Sequence, residues 1–269
     1  MKLFGVGVIG SLLLTLAITS KVEAFQFPTI TPDPDAPSYL FYDGVPFTFI
    51  KRGETTNGQY TLRQTNVLKG QGVPPHIHQD EDEWLYVKEG NLQITVGDHI
   101  YGPNEIPGVN APKDILHAID APAGTLIYGP RYRLHGVLNI SDEPAKLLVA
   151  WNPPGFEDIF KAPGIIPVTD FSNLPTLPPN YPQIYAQAAN AERGLVGSAS
   201  YDQFGDLQYD NVVANEDNHG DELLRLIAAG NESPKPVPES SSSWGVLAFG
   251  ALVAISIWKP KWKSMSKVG

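Results

Sequence analysis

The chain has no cysteine among its 269 residues. That absence excludes a disulfide scaffold, a thiolate metal site and a cysteine nucleophile. Charge is also scarce: 18% of residues are Asp, Glu, Lys or Arg, too few for a long coiled coil or a charged disordered chain. Basic residues are the scarcer sign, 19 against 29 acidic ones, for a formal charge of −10. No surplus of Lys and Arg exists to neutralise phosphates, so nucleic acid is excluded as a partner. No internal repeat of fixed period is seen. Glycine and proline, by contrast, are plentiful at 25 each. With scattered Val, Ile, Tyr and Phe they favour many short strands joined by turns, an all-β body. The length permits one large domain or two small ones.

Long apolar runs occur only at the two ends. Residues 1–24 read as a secretory signal peptide: Lys2 supplies the positive start, residues 3–19 are apolar or small, and Val22 and Ala24 are the small residues a signal peptidase requires. The competing reading is an N-terminal membrane anchor. Residues 234–243 are polar and rich in Pro and Ser, a linker, and residues 244–258 are free of charge. Lys259, Lys261, Lys263 and Lys267 follow. Fifteen helical residues reach about 22 Å, short of a hydrocarbon core of about 30 Å unless Lys and Trp at the ends extend it. Pro238-Glu239-Ser240, the apolar run and the lysine cluster together resemble a PEP-CTERM sorting signal, with Ser240 where that signal usually has Pro. The resemblance implies cleavage near residues 238–240 by a membrane sorting enzyme and export to the surface or exterior; the alternative is a plain tail anchor. Loss of both ends would remove six basic and two acidic residues and take the formal charge to −14, which favours cations or neutral ligands at long range.

Between the ends, residues 25–38 hold four prolines and read as an extended arm. Residues 39–160 carry the strand rhythm, with expected strands at 46–51, 60–67, 83–87, 92–96, 126–128, 134–139 and 146–151. Residues 106–124 contain Pro107, Gly108, Pro112, Pro122 and Gly124 and read as a long loop or insertion. Residues 161–233 form a Pro-rich, partly helical extension. Its helices are expected at 184–193 and 221–229, with Gly194 and Gly230 just past their ends and Asp217 or Asn218 as a cap.

Three of the six histidines form one constellation. In an extended chain side chains alternate, so His76 and His78 share a face. Glu83 follows after enough residues for a turn, and His135 opens a later strand. Three neutral imidazoles and a carboxylate suit one divalent first-row metal ion: Fe, Mn, Ni, Cu, Co or Zn. Asp80, Glu81 and Asp82 compete with Glu83 for the acidic position.

Here the sequence resembles the cupin superfamily. Its first motif appears as Gly70, His76-Ile77-His78, Glu83 and Gly90, and its second as Gly124, Pro130, His135 and Asn139. Pro74-Pro75, Asp82-Glu83-Trp84 and Pro153-Pro154-Gly155 resemble the quercetin-dioxygenase-like members. The resemblance covers roughly residues 40–160. It implies a double-stranded β-helix (jelly-roll barrel), selects Glu83 as the fourth ligand beside His76, His78 and His135, and implies oxidative ring opening of a flavonol or related enol with O2. A ligating Glu83 that rotates off the metal would then also take the substrate proton. The same ligand set serves isomerases, decarboxylases and lyases, and the scaffold also serves non-catalytic ligand binding or envelope structure. Expected partners are a small-molecule substrate, O2, signal peptidase and the sorting enzyme, with a second copy of the chain as a further candidate.

Two departures from the family pattern carry expectations. Tyr132 stands where the second motif has Gly, so the turn should differ, offset His135 and narrow the mouth. The longer segment 106–124 should supply a lid. His117 within it is read as a surface residue or a support to the ligands, His99 and His219 as lacking partners. Arg131 and Arg133 read either as contacts to an anionic substrate at the mouth or as ordinary surface residues.

Overall fold

The computed structural model describes residues 24–198, 200–209 and 218–232. Nearly all of the expected signal peptide, and the whole linker, apolar run and lysine tail, lie outside them. Among the described residues no helix is long and apolar enough to cross a membrane.

Among the described residues twelve strands form two six-stranded sheets. The first sheet contains β1 (Ser38–Leu40), β2 (Pro46–Lys51), β3 (Thr61–Val67), β5 (Asp82–Glu89), β8 (Leu126–Gly129) and β10 (Ala145–Asn152), in the order β1-β2-β3-β10-β5-β8. The second contains β4 (Gly72–Ile77), β6 (Asn91–Ile100), β7 (Asp114–Pro122), β9 (Arg133–Leu138), β11 (Val196–Gly197) and β12 (Gly205–Gln208), in the order β11-β4-β9-β6-β7-β12. All pairs are antiparallel except β12 with β7. The two sheets face each other as a double-stranded β-helix, with helices α1 (Tyr181–Arg193) and α2 (Gly220–Asn231) following the barrel.

Period-two alternation explains the wall. On β3, β5 and β10, Val67, Leu85, Val87, Leu147, Val149 and Trp151 join the interior cluster. Their neighbours Leu62, Trp84, Leu148 and Ala150 point the other way, into a second cluster with Leu223 and Ile227 of α2. Phe25, Phe27 and Ile30 pack on that second cluster, so the arm lies against the barrel wall. The first sheet is therefore covered on both faces, which is why β10 reads as a continuous apolar run.

Several expectations are corrected. The segment 106–124 is a loop only in its first half; residues from Asp114 form β7, in register with β6 from Asn91↔Pro122 to Gly97↔Leu116. Its prolines fall before the strand or at its last residue, where no ladder hydrogen bond is lost. Strands also occur beyond residue 160, as β11 and β12. Gly194 does end α1, at φ +58°, whereas Gly230 lies inside α2. The Asn57 carboxamide caps that end instead, donating to the carbonyl of Glu232 at 2.6 Å. At the start of α2, Asn218 Oδ1 accepts the Gly220 N–H at 3.0 Å.

Since Leu223 is fully buried in the outer cluster, Leu223→Ala is expected to cost about 2–5 kcal/mol. A urea titration should show a lower midpoint at unchanged slope, because the barrel and α2 unfold together.

Candidate metal centre

His76 stands near the end of β4, and the register pairs it directly with His135 on β9. Their rings lie 4.5 Å apart between centroids. His78 follows the end of β4 on the same face, its ring stacked on that of His135 at 5.3 Å and 7°. Glu83 on β5 comes across from the opposite sheet. One ligand atom from each of these four buried residues falls within 4.8 Å of the others.

The outer ring nitrogens fix how the inner ones are used. Pro74 O lies 3.0 Å from His76 Nδ1, Glu81 Oε2 lies 3.3 Å from His78 Nδ1, and Arg133 O lies 3.1 Å from His135 Nδ1. Each is an acceptor, so each Nδ1 is placed as a donor and each Nε2 faces inward, where a cation could take its lone pair. Nε2 of His76 and His78 meet at 3.2 Å. Glu83 Oε2 is 3.0 Å from His78 Nε2 and 3.6 Å from His135 Nε2. His135 Nε2 is buried with no hydrogen-bond partner. Four acceptors thus converge where a single divalent cation would satisfy them all, and the donor set fits a first-row metal.

The electrostatics agree. Burial, then the neighbouring His135 and His78, hold His76 well below the usual imidazole range. Burial alone would lower His78 too, but hydrogen bonds and charge from Glu81 and Glu83 outweigh it and push it up to about 9. Burial would raise Glu83, yet His135 and His78 hold it well below the carboxylate range.

The supports are buried as well. Trp151 faces Glu83 across the β5–β10 ladder, and its indole Nε1–H donates to Glu83 Oε2 at 2.6 Å. Phe156 stacks on Trp151 at 4.0 Å and 9°. Glu81 does not take Glu83's place; it holds His78 and is itself ion-paired to Arg193, the last residue of α1. Gly129 stands opposite Glu83 on β8, and a Cβ there would come 3.0 Å from His135 Nδ1.

Tyr132 corrects the expectation attached to it. It adopts the left-handed conformation itself, at φ +65°, at a strain of about 1–3 kcal/mol. Its N–H donates to His78 O at 2.8 Å and its carbonyl accepts from Tyr101 N at 2.8 Å. The turn is retained, and His135 sits within the cluster.

A cavity of about 530 Å³ opens onto His76, His78 and Glu83. Barrel residues Phe41, Arg63, Leu85 and Trp151 line one side; Tyr185 and Ala189 of α1, Leu195 and Ser198 line the other. The wall over the site comes from the C-terminal extension, and none of residues 106–124 contributes. Nor do Arg131 and Arg133. Arg131 holds Asp82 at 3.2 Å, and Arg133 Nε donates to Gly97 O at 2.5 Å. His117 lies on β7 with Nε2 2.8 Å from Asp98, and Asp80 is exposed. His99 and His219, read as lacking partners, both have them: His99 lies edge-on to Tyr101, and His219 lies 4.1 Å from the Tyr128 ring with Nδ1 3.2 Å from Glu222.

Residues 60–186 match the cupin family model. Similar solved structures include TT1209 from Thermus thermophilus, at 21% identity over 45% of this chain and 87% of that one, TM-score 0.30. A sugar phosphate isomerase of the cupin superfamily from Silicibacter pomeroyi is 22% identical over 41% of this chain and 60% of its own, TM-score 0.30. KdgF from Halomonas sp. is 12% identical over 43% and 85%, TM-score 0.32. No curated protein matches the chain.

Two outcomes are expected at this centre. His78→Ala should remove most bound metal, measured by elemental analysis, whereas Glu81→Ala should keep the ligands but weaken Zn(II) binding by about 10–100-fold. Because His78 stays protonated up to about 9, an ion must displace that proton at neutral pH. Zn(II) titration at pH 7.5 in buffers of different ionisation enthalpy should show about one proton released per ion, with affinity rising about tenfold per pH unit towards 9. Competition therefore starts well above the pH of about 6 that unperturbed imidazoles would give.

Proposed function

From a single-domain cupin fold whose interior carries a His/His/Glu/His cluster, we propose that the protein is a metal-dependent enzyme acting on an oxygenated small molecule. The observation that carries the reading is the convergence of His76, His78, Glu83 and His135 beside a largely apolar cavity that the first three of them line. The ion would be held by these four residues and would supply a Lewis acid for a substrate carbonyl, enol or phenol oxygen.

The chain's own contribution follows from its contacts. The largely apolar lining lowers the local dielectric, so each fixed dipole counts for more. Trp151 pins Glu83 Oε2, and the imidazoles keep Glu83 ionised. A pinned carboxylate of depressed pKa is a good ligand and a poor proton shuttle. That favours polarisation of the substrate, as in an isomerase or lyase, over a mechanism in which Glu83 swings off to take a proton. The dioxygenase reading keeps one supporting observation: a cavity of about 530 Å³ walled by aromatic rings suits a planar, flavonol-sized body.

The proposal includes export, on the strength of residues 1–24 and 234–269. Intact-mass measurement of protein from its native host should give a chain starting near Phe25 and lacking residues 244–269.

Activity is tested with metal-reconstituted protein on flavonols and other enols, with and without O2. Turnover that persists anaerobically and is lost in His78→Ala is the expected result. O2 uptake matched one to one with flavonol loss would establish the dioxygenase reading instead. Binding without product in either atmosphere would favour the non-catalytic alternative.

A further inference from the structure

One buried charge is not used by the metal centre. Arg63 on β3 belongs to the inward-facing row and is 4% exposed. Its Nε and Nη1 are buried with no acceptor among the described residues. The guanidinium carbon lies 4.2 Å from the Phe41 ring centroid and 5.3 Å from those of Phe47 and Trp151. Ring faces attract a cation but offer its N–H groups no directional lone pair. Burial pushes its pKa down, to about 10, which still leaves it charged at neutral pH.

The nearby acids are committed elsewhere. Asp43 Oδ1 accepts the Val45 N–H at 3.1 Å, and Glu83 faces the histidines. Neither forms an ion pair with Arg63. The Tyr42 hydroxyl donates to Gly72 O at 3.1 Å. Arg63 nevertheless lines the same cavity as His76, His78 and Glu83. Glu83 and Asp43 favour the charge from a distance, but a buried cation with no hydrogen-bonded counter-anion among the described residues is costly unless something supplies one.

We infer that Arg63 is the binding residue for the carboxylate of an apolar or aromatic monocarboxylate held in the cavity, with the ligand's other end towards the histidine cluster. The orientation rests on the function proposed above; the anion site itself does not. A planar fork of N–H donors matches a carboxylate. One cation balances one negative charge, whereas a phosphate dianion calls for more. Walls of Phe41, Trp151, Phe156 and Tyr185 suit an apolar body on that anion.

The test compares 3-phenylpropanoate with its neutral amide by calorimetry, on Zn(II)-loaded and EDTA-treated protein. The wild type should bind the carboxylate at least about tenfold more tightly than the amide in both forms. Arg63→Met should erase the preference at unchanged zinc content, and Arg63→Lys should keep part of it. Equal affinity for acid and amide in the wild type would overturn the inference, and needs no variant to fold. So would a preference that survives in Arg63→Met. A preference confined to the Zn(II)-loaded protein would also overturn it, by making the metal the receptor. Loss of zinc binding in the wild type with the acid preference intact would sink the metal-enzyme reading and leave Arg63 as the anion site.

Discussion

Three imidazole nitrogens and a carboxylate oxygen meet inside the barrel, and the rest of the structure is arranged to hold that meeting. Left alone, the four acceptors would turn away from each other or recruit water. They are held because the three outer ring nitrogens are occupied, by the Pro74 and Arg133 carbonyls and the Glu81 carboxylate, and because the Trp151 indole donates to Glu83 Oε2. Turning any one ring would break a buried hydrogen bond, which costs more than an exposed one. The acceptors are thus preorganised for a cation before one arrives.

Those supports come from distant parts of the chain. Arg193 closes α1 and neutralises Glu81, so the extension reaches a ligand through two ion-paired side chains. Tyr132 accepts backbone strain and ties the turn before His135 to the carbonyl of His78. Such strain persists only where the surroundings over-determine it. On the outer side, α2 and residues 25–30 bury the back of the sheet that carries Glu83 and Trp151. Barrel, arm and extension therefore act as one structure around the centre.

Much of this was legible in the sequence, for reasons that can be named. His76 and His78 were visible because strand geometry puts alternate residues on one face. Glu83 and His135 were reached through the motif resemblance. What escaped has physical causes too. β4 was hidden by Pro74 and Pro75, which break the ladder between Val73 and His76 without ending the strand. β7 was hidden by the prolines before and at its end. The glycine-to-tyrosine change at 132 suggested a different turn, but tertiary hydrogen bonds enforced the same one. Glu81 was weighed only as a rival ligand; its spacing from His78 was the available sign of its supporting role. Arg63 gave a weaker sign: two residues before Thr65 and four before Val67, it shares their inward parity, which matters only once the barrel closes.

The charge distribution carries a last consequence. The chain is acidic overall, at −10, so an anion meets repulsion at long range, and that repulsion is screened within about 8–10 Å at physiological salt. Inside, the balance reverses. Arg63 is unpaired, and a divalent ion at the histidines would add positive charge of which Glu83 cancels only part. Small inorganic anions gain the Coulomb attraction but must give up their full hydration. An anion on an apolar body gives up hydration at one group only, while its remaining surface contributes about 25 cal/mol per Å² buried against the aromatic wall. Selection therefore resides in the cavity and not at the surface, and it favours amphipathic organic anions over simple ones.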